Sequence, residues 1–583
     1  MADSRESDIL FKDATVIDGL GTTPGYLANV IIRGDNIRSI TGVDQTLDVP
    51  TGSEIRVVDC QAGRYCLSPG FIDMHAHSDL SLLHTPKHLA KITQGVTTEV
   101  IGQDGISYAP VDDAAMAKIR RQIAGWNGNP KEPADFFNRW RSVEGFLNTL
   151  DAGLDGKGIA TNAIFLVPQG NLRILTVGYE NRTATQSEID RMKALLIDGL
   201  EQGAVGMSSG LTYVPGMFAD GGELAQLCEI LKQYDAYYCP HHRSYGKGAM
   251  EAYVEMIELA RQTGVRLHLT HATLNFPENA GRAEELLVKI DQAIADGVDI
   301  TLDTYPYLPG STTLGALLPS WVSAHPQRTE LLTDPEQLKI IRHQCLVEGT
   351  DGCHGCTLDW NSIEIGGVLN RDLTSICVGK RIQQIADARN EDPFDTFIWL
   401  LKADDFGTTI LQHMGNESNV RKIMRHPRHT GGSDGILTST KPHPRGWGTF
   451  PRYLGHYHRD LSRGKSRDIY STTSSADLNA VEPEVIFPEG LEEVVSHFTY
   501  RAVKVLRLQD RGLVKEGYKA DLVLFDPEEV RDRATFADPQ QPAQGIRTVL
   551  VNGVFAVDEF EATGGRAGRT VRMRKSGEGW VVR

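Results

Sequence analysis

The stretch FIDMHAHSDL, residues 71–80, sets two histidines two positions apart behind an apolar run. On an extended strand, side chains at i and i+2 point to the same face, so His75 and His77 can enter one space and bind one ion. Neutral imidazoles are common metal ligands. A core histidine bonded to backbone is the plain alternative, and the pair alone does not separate the two.

Outward from this stretch, apolar strand-like runs alternate with helix-like segments, the pattern of βα units around a parallel sheet. The runs are FIDMHAH (71–77), VTTEVIGQD (96–104), NAIFLVPQG (162–170), AVGMSSGL (204–211), AYYCPHHR (236–243), RLHLTHA (266–272), DITLDTYPY (299–307) and RHTGGSDG (428–435). Between them, SEIDRMKALLIDGLEQG (187–203) and AEELLVKIDQAIADG (283–297) carry apolar residues near the helical period and end in glycine. Eight units suggest an α/β fold, a (β/α)8 TIM-type barrel. The last two runs lie further apart than a βα unit needs, so an insertion over about 310–425, placed over the barrel mouth, is expected.

Short β runs broken by turn signals fill the N-terminal part, as in ILFKDATVIDG (9–19), and return at the other end in GYKADLVLFD (517–526), IRTVLVNGVFAVD (546–558) and RTVRMR (569–574). The expectation is a small discontinuous β-sandwich domain made from residues 1–70 and 506–583, flanking a barrel over 71–505.

The net charge of −16 repels phosphate backbones and anionic lipid, which argues against nucleic-acid and membrane-surface partners. No run approaches the roughly 18 apolar residues of a membrane span, and the start lacks the pattern of a secretory signal, so a cytoplasmic protein with a small-molecule partner is expected. Self-association is left open. Eight cysteines over this length are too sparse for a disulfide framework. Only Cys353 and Cys356, in CHGC, have metal-like spacing, and a loop thiol pair is the favoured reading there.

Polar residues gather at the C-terminal ends of the runs, the face that carries the active site of such barrels. They are His75 and His77, Asp104, Gln169, His241 and Arg243, His271, Asp303 and Tyr305, and Asp434. Taken singly, His241 and His271 read as structural and Asp434 as a turn former before glycine. Together, four histidines at corresponding strand ends favour metal, and Asp434 suits a base that reaches an activated water.

The HxH after SPGFID, the histidines after the fifth and sixth runs and the Asp after the eighth resemble the amidohydrolase superfamily. More narrowly, QGVTTEVIG, GMSSGLTYVPG, TYPYLPGSTTL, SDG, HPRGWGTFPR, GYKADLVLFDP and VLVNGVF resemble the N-acyl-D-amino-acid deacylases, or D-aminoacylases, from about residue 9 onward. The resemblance implies zinc, one or two ions, with His75 and His77 at one position and His241 and His271 at the other. It implies Asp434 as general base and later acid, acting on a linear amide of an N-acyl-D-amino acid or a D-residue-containing peptide. Where the family has a cysteine ligand in GNCG, this chain has Asp104 in GQDG. A carboxylate is a harder ligand that can bridge two ions, so Asp104 is expected to ligate, with bridging of two ions left open.

The resemblance also assigns substrate contacts. Tyr305 and Arg445 match a tyrosine and an arginine that hold the substrate carboxylate in relatives, whereas their lysine is replaced by Thr273 and a loop histidine by Gln169. Ser311 and Arg243 join this set, each with a structural alternative as a capping serine and an ion-paired arginine. No lysine ends the fourth run, which demotes a cyclic-amide hydrolase of the hydantoinase or dihydroorotase kind. A non-catalytic scaffold on an inactivated barrel is the rival of another class.

Overall fold

The computed structural model describes residues 8–45, 55–127, 136–467, 469, 478–577 and 579–583. Eight parallel strands follow one another in a single sheet. They are β1 Phe71–Asp73, β2 Val96–Ile101, β3 Asn162–Pro168, β4 Gly206–Gly210, β5 Tyr237–His241, β6 Arg266–Leu269, β7 Ile300–Thr304 and β8 His429–Gly431. The last meets the first: Met74 N–H donates to the Gly431 carbonyl at 3.1 Å, and Ala76 and Gly435 form a parallel bridge. Each strand falls within one of the runs identified from sequence. β3 is buried along its whole length, as expected where crossovers cover both faces of a parallel sheet.

The helix Gln186–Glu201 starts in a capping box, with Thr185 and Glu188 each accepting the other's backbone N–H. Its Ile189, Met192, Leu196 and Leu200 are buried, a spacing that lines one stripe facing the strands. The helix Ala283–Ala295 buries Ala283, Leu286, Ile290 and Ala293 in the same way. Gly297 follows at φ 90°, a conformation open to a residue without Cβ. No helix of the described residues is long and apolar enough to cross a membrane.

Both ends of the chain meet in one nine-stranded sheet. The strand Cys66–Pro69 pairs antiparallel with Leu522–Phe525, with Leu67 opposite Leu524. Alternation divides the faces. Leu522 and Leu524 join Phe11, Val30, Leu67 and Leu550 in a core of the sheet's own, while Val523 and Phe525 pack toward the barrel with Phe71 and Phe498. RTVRMR departs from the expected place. Met573–Ser576 pairs with Gly579–Val582 as a separate hairpin, and Val571, Met573 and Val582 are buried in the barrel's own cluster. Three apolar side chains at this end find their burial on the barrel, so the last turn of chain leaves the terminal sheet.

The insertion is a folded unit with a core of its own. Strands Gly310–Thr313, Thr409–Gln412 and Ile363–Gly367 make a three-stranded antiparallel sheet. Leu314, Leu317, Ile341, Ile363, Ile365, Phe397, Leu401 and Ile410 are buried behind it. The helix Glu417–Met424 then returns to the barrel, and its Asn419 side chain reaches the Leu274 and Asn279 carbonyls at 3.0 and 2.8 Å.

Candidate metal centre

His75 and His77 leave β1 with their rings turned into the mouth, and their Nε2 atoms lie 3.3 Å apart. A buried polar knot holds this segment against the end of β8. Asp73 accepts the His75 and Ser433 backbone N–H groups at 3.2 and 2.8 Å. Lys91, with no exposed surface, donates to Asp73 at 2.5 Å and to Ser433 Oγ at 2.8 Å. The knot fixes His75 relative to Asp434, the residue after Ser433.

Two groups of residues that could hold a metal ion converge here, His75, His77, Asp104 and Asp434 in one and Asp104, His241 and His271 in the other. Asp104 belongs to both. Its Oδ1 lies 3.7 Å from His75 Nε2 and 3.3 Å from His271 Nε2. Its Oδ2 lies 3.5 Å from both His77 Nε2 and His241 Nδ1. Asp434 Oδ1 completes the first set, 3.2 Å from His77 Nε2 and 3.6 Å from His75 Nε2. The second nitrogens of two rings are engaged elsewhere: His75 Nδ1 by Thr270 Oγ1, and His241 Nε2 by Thr212 Oγ1 at 2.8 Å. Such outer contacts fix which nitrogen faces an ion. Asp303 supports the same corner by accepting from Thr270 Oγ1 at 3.2 Å and from His271 N–H at 2.8 Å.

Asp104, His271 and Asp434 adopt left-handed backbone at φ 54°, 31° and 48°. Residues held there cluster where a side chain must be aimed off the end of a strand. Their glycine neighbours make room: a Cβ on Gly105 would sit 2.4 Å from the Gly210 nitrogen, and one on Gly432 2.7 Å from Asp303 Oδ1.

The electrostatics fit a cation. Burial raises the Asp104 and Asp434 carboxyls, but the surrounding imidazoles, and Arg445 beside Asp434, outweigh it and hold both well below the usual carboxylate range. Burial pushes His75 down to about 3. Burial also works against charge on His77, yet the Asp104 and Asp434 carboxylates lift it to about 10. In the metal-free protein a proton on His77 therefore stands where a cation belongs. A divalent ion such as Zn²⁺ displaces it, so uptake at pH 8 releases protons and apparent affinity rises with pH. Calorimetric titration in two buffers of different ionisation enthalpy checks this; heats independent of buffer would refute it.

In front of the ligands lies a cavity of about 60 Å³, with Thr273, Tyr305, Ser311 and Asp434 on its walls. Arg445 stands behind them with no exposed surface. Its Nη2 is 2.8 Å from Asp434 Oδ2 and its guanidinium lies 4.3 Å from the Tyr305 ring centre. Two of the residues assigned to substrate from sequence are engaged away from this cavity. Arg243 is engaged by Glu255 at 2.9 Å and by the Met217 and Ala219 carbonyls. Gln169 donates to Glu223 at 2.7 Å. Neither lines the cavity.

Other wall residues were not singled out from sequence. Tyr213 lies in the quoted GMSSGLTYVPG and reaches Thr312 Oγ1 at 3.2 Å. His354, Asn275 and Gln412 also face the cavity. His354 is the middle of CHGC, where attention to thiol spacing hid the imidazole. Cys353 and Cys356 are free and buried.

A model of the amidohydrolase family matches residues 373–557. D-aminoacylase of Alcaligenes xylosoxydans xylosoxydans is 31% identical, covering 98% of both chains. This chain belongs to the D-aminoacylase family. The structure of N-acyl-D-glutamate deacylase from Bordetella bronchiseptica, complexed with zinc and a phosphonate mimic of the tetrahedral intermediate, superposes with a TM-score of 0.75 at 28% identity, over 97% of this chain and 99% of that one. A D-aminoacylase structure described for its binuclear metal centre gives 0.74 at 31% identity, over 97% and 99%. In this chain Asp104 belongs to both groups of residues that could hold a metal ion, within reach of both histidine pairs.

Proposed function

We propose that this protein hydrolyses the linear amide bond of N-acyl-D-amino acids, or of D-residue-containing amides and peptides, with zinc held by His75, His77, Asp104, His241 and His271 and with Asp434 at its edge as the general base. The observation that carries this is the meeting of two buried ligand sets at Asp104 with Asp434 at its edge. Four imidazoles and the Asp104 carboxylate are a donor set that suits zinc. Bound there, the ion lowers the pKa of water and polarises a carbonyl.

The chain's own residues do the rest. Asp434 is ionised, with Oδ2 tied to Arg445 and Oδ1 turned to the ligand set, so it can accept a proton from water and return it to the departing amine. Burial holds Tyr305 protonated up to about 12, against the opposing effect of Arg445. Its hydroxyl is thus a donor at neutral pH for the oxyanion that develops on the acyl carbon. Ser311 and Thr273 orient substrate from the wall, and Arg445 acts through Asp434 and Tyr305. Eight cysteines kept as buried thiols suit a reducing compartment and support the cytoplasmic expectation.

The test is acetate release from a panel of N-acetyl-D- and L-amino acids, beside hydantoins, before and after chelation. D-selective release abolished by chelation and restored by zinc is expected. Turnover of hydantoins alone would replace this function with the cyclic-amide one, and a chain that neither binds zinc nor turns anything over would be a scaffold.

A further inference from the structure

We infer that the acyl half of the substrate is a large apolar group, a medium-length aliphatic or arylalkyl chain, and that it lies in a basin of about 880 Å³ beside the metal centre. This rests on the deacylase function proposed above and names its acyl class.

Topology sets the direction. Tyr305 follows β7 and Asp434 follows β8, and the scissile nitrogen must face Asp434 to receive its proton. The amino-acid half therefore sits on that side of the mouth. The substituent on the acyl carbon points the other way, toward the loops around β4, which stands four strands from β8 in the order of the sheet. The basin lies there. Its barrel residues come from the loops after β2, β3 and β4, among them Trp126, Tyr179 and Thr212, and the insertion supplies the facing wall with Ala316 and Trp321.

The basin reaches the ligands themselves. Tyr213 borders both it and the small cavity. The centre of its ring stands 4.8 Å from that of His241 and 4.6 Å from that of Trp126, and Trp126 in turn lies 5.8 Å from His77. Thr212, on the basin wall, is the residue whose hydroxyl engages His241 Nε2. An acetyl methyl stops at Tyr213; a longer chain runs along its ring into the basin.

The floor is apolar and the charge is at the rim. Trp126, Val177, Val214, Leu318 and Phe406 are buried. Lys118, Arg121, Glu180 and Asp405 are exposed. Arg121 pairs with Asp405 at 2.8 Å, Glu180 pairs with Arg182 at 2.7 Å, and Lys118 lies over the Tyr179 ring. Arg328, half-buried, covers the Phe406 ring at 3.9 Å from its centre. With both signs on the rim, selection falls to the floor, where each methylene removed from water is worth about fourfold in affinity.

The reaction balances as a hydrolysis. Water oxygen bonds to the acyl carbon, the acyl C–N bond breaks, the nitrogen takes a proton, and the products are an apolar carboxylic acid and the free D-amino acid.

The experiment measures kcat/KM of the full-length zinc-loaded protein, by amine release, for acetyl, butanoyl, hexanoyl, octanoyl and phenylacetyl derivatives of D-leucine, D-phenylalanine and D-glutamate. N-acetyl-D-leucylglycine, which extends the other half instead, is assayed beside them. Octanoyl and phenylacetyl should exceed acetyl at least tenfold on the amino acid cleaved best. Ala316→Trp, which fills the basin, and Met217→Glu, which sets a charge on its wall, should each cut the octanoyl-to-acetyl ratio at least fivefold. Acetyl cleaved as well as or better than octanoyl by the unaltered protein overturns the inference and leaves the deacylase function standing, as does a gain from the added glycine in place of one from the added methylenes. A ratio unchanged in both variants takes the acyl group out of the basin and overturns it too. No amine from any compound overturns both the inference and the deacylase function.

Discussion

Asp434→Asn leaves the protein folded and lowers kcat by about 10²–10⁴-fold, the usual contribution of a positioned acid–base group. The substitution is well placed to isolate chemistry. Position 434 has φ 48°, and asparagine tolerates left-handed backbone nearly as well as aspartate, so the loop keeps its shape. The amide also retains an oxygen toward the histidines while losing the ability to hold a proton. Zinc content by elemental analysis should stay close to that of the unaltered protein, because His75, His77 and Asp104 remain. Turnover within tenfold of the parent would exclude Asp434 as the base.

The second large effect is at Asp104. Asp104→Asn removes the charge that two histidine pairs share, without disturbing the left-handed turn at φ 54°. Loss of a contact one step removed from a metal costs about 10–100-fold, so loss of the shared ligand should lower kcat/KM by more than about 100-fold. Zinc content should fall by at least one equivalent. Asp104→Cys should keep more zinc than Asp104→Asn, since a thiolate is itself a good zinc ligand. Full metal occupancy in Asp104→Asn, measured on the same preparations, would show that the carboxylate does not bridge.

Much of this site is legible in the chain because its grammar is local. The two-residue period of a strand puts His75 and His77 on one face, and the glycines beside Asp104 and Asp434 mark the turns that aim them. What local pattern cannot supply is the partner of a charged side chain. Arg243 and Gln169 stand at strand ends just as the ligands do, but Glu255 and Glu223 on neighbouring helices engage them. Arg445 was read as a contact for substrate, and the structure sets it against Asp434 and the Tyr305 ring. His354 reaches the cavity only because the insertion folds around a core of its own and returns its loop to the barrel. The same reason explains the last strand pair, whose apolar residues are satisfied by a surface far away in sequence.

The pairing of Cys66–Pro69 with Leu522–Phe525 has a consequence for biogenesis. Translation emits the first of these strands long before the second, so its edge waits unpaired while the barrel is synthesised. Contacts of such long sequence separation are slow to form, and exposed edges invite intermolecular pairing in the meantime. Nascent chains halted before residue 522 should therefore recruit chaperones and aggregate, and release of the final segment should end that vulnerability.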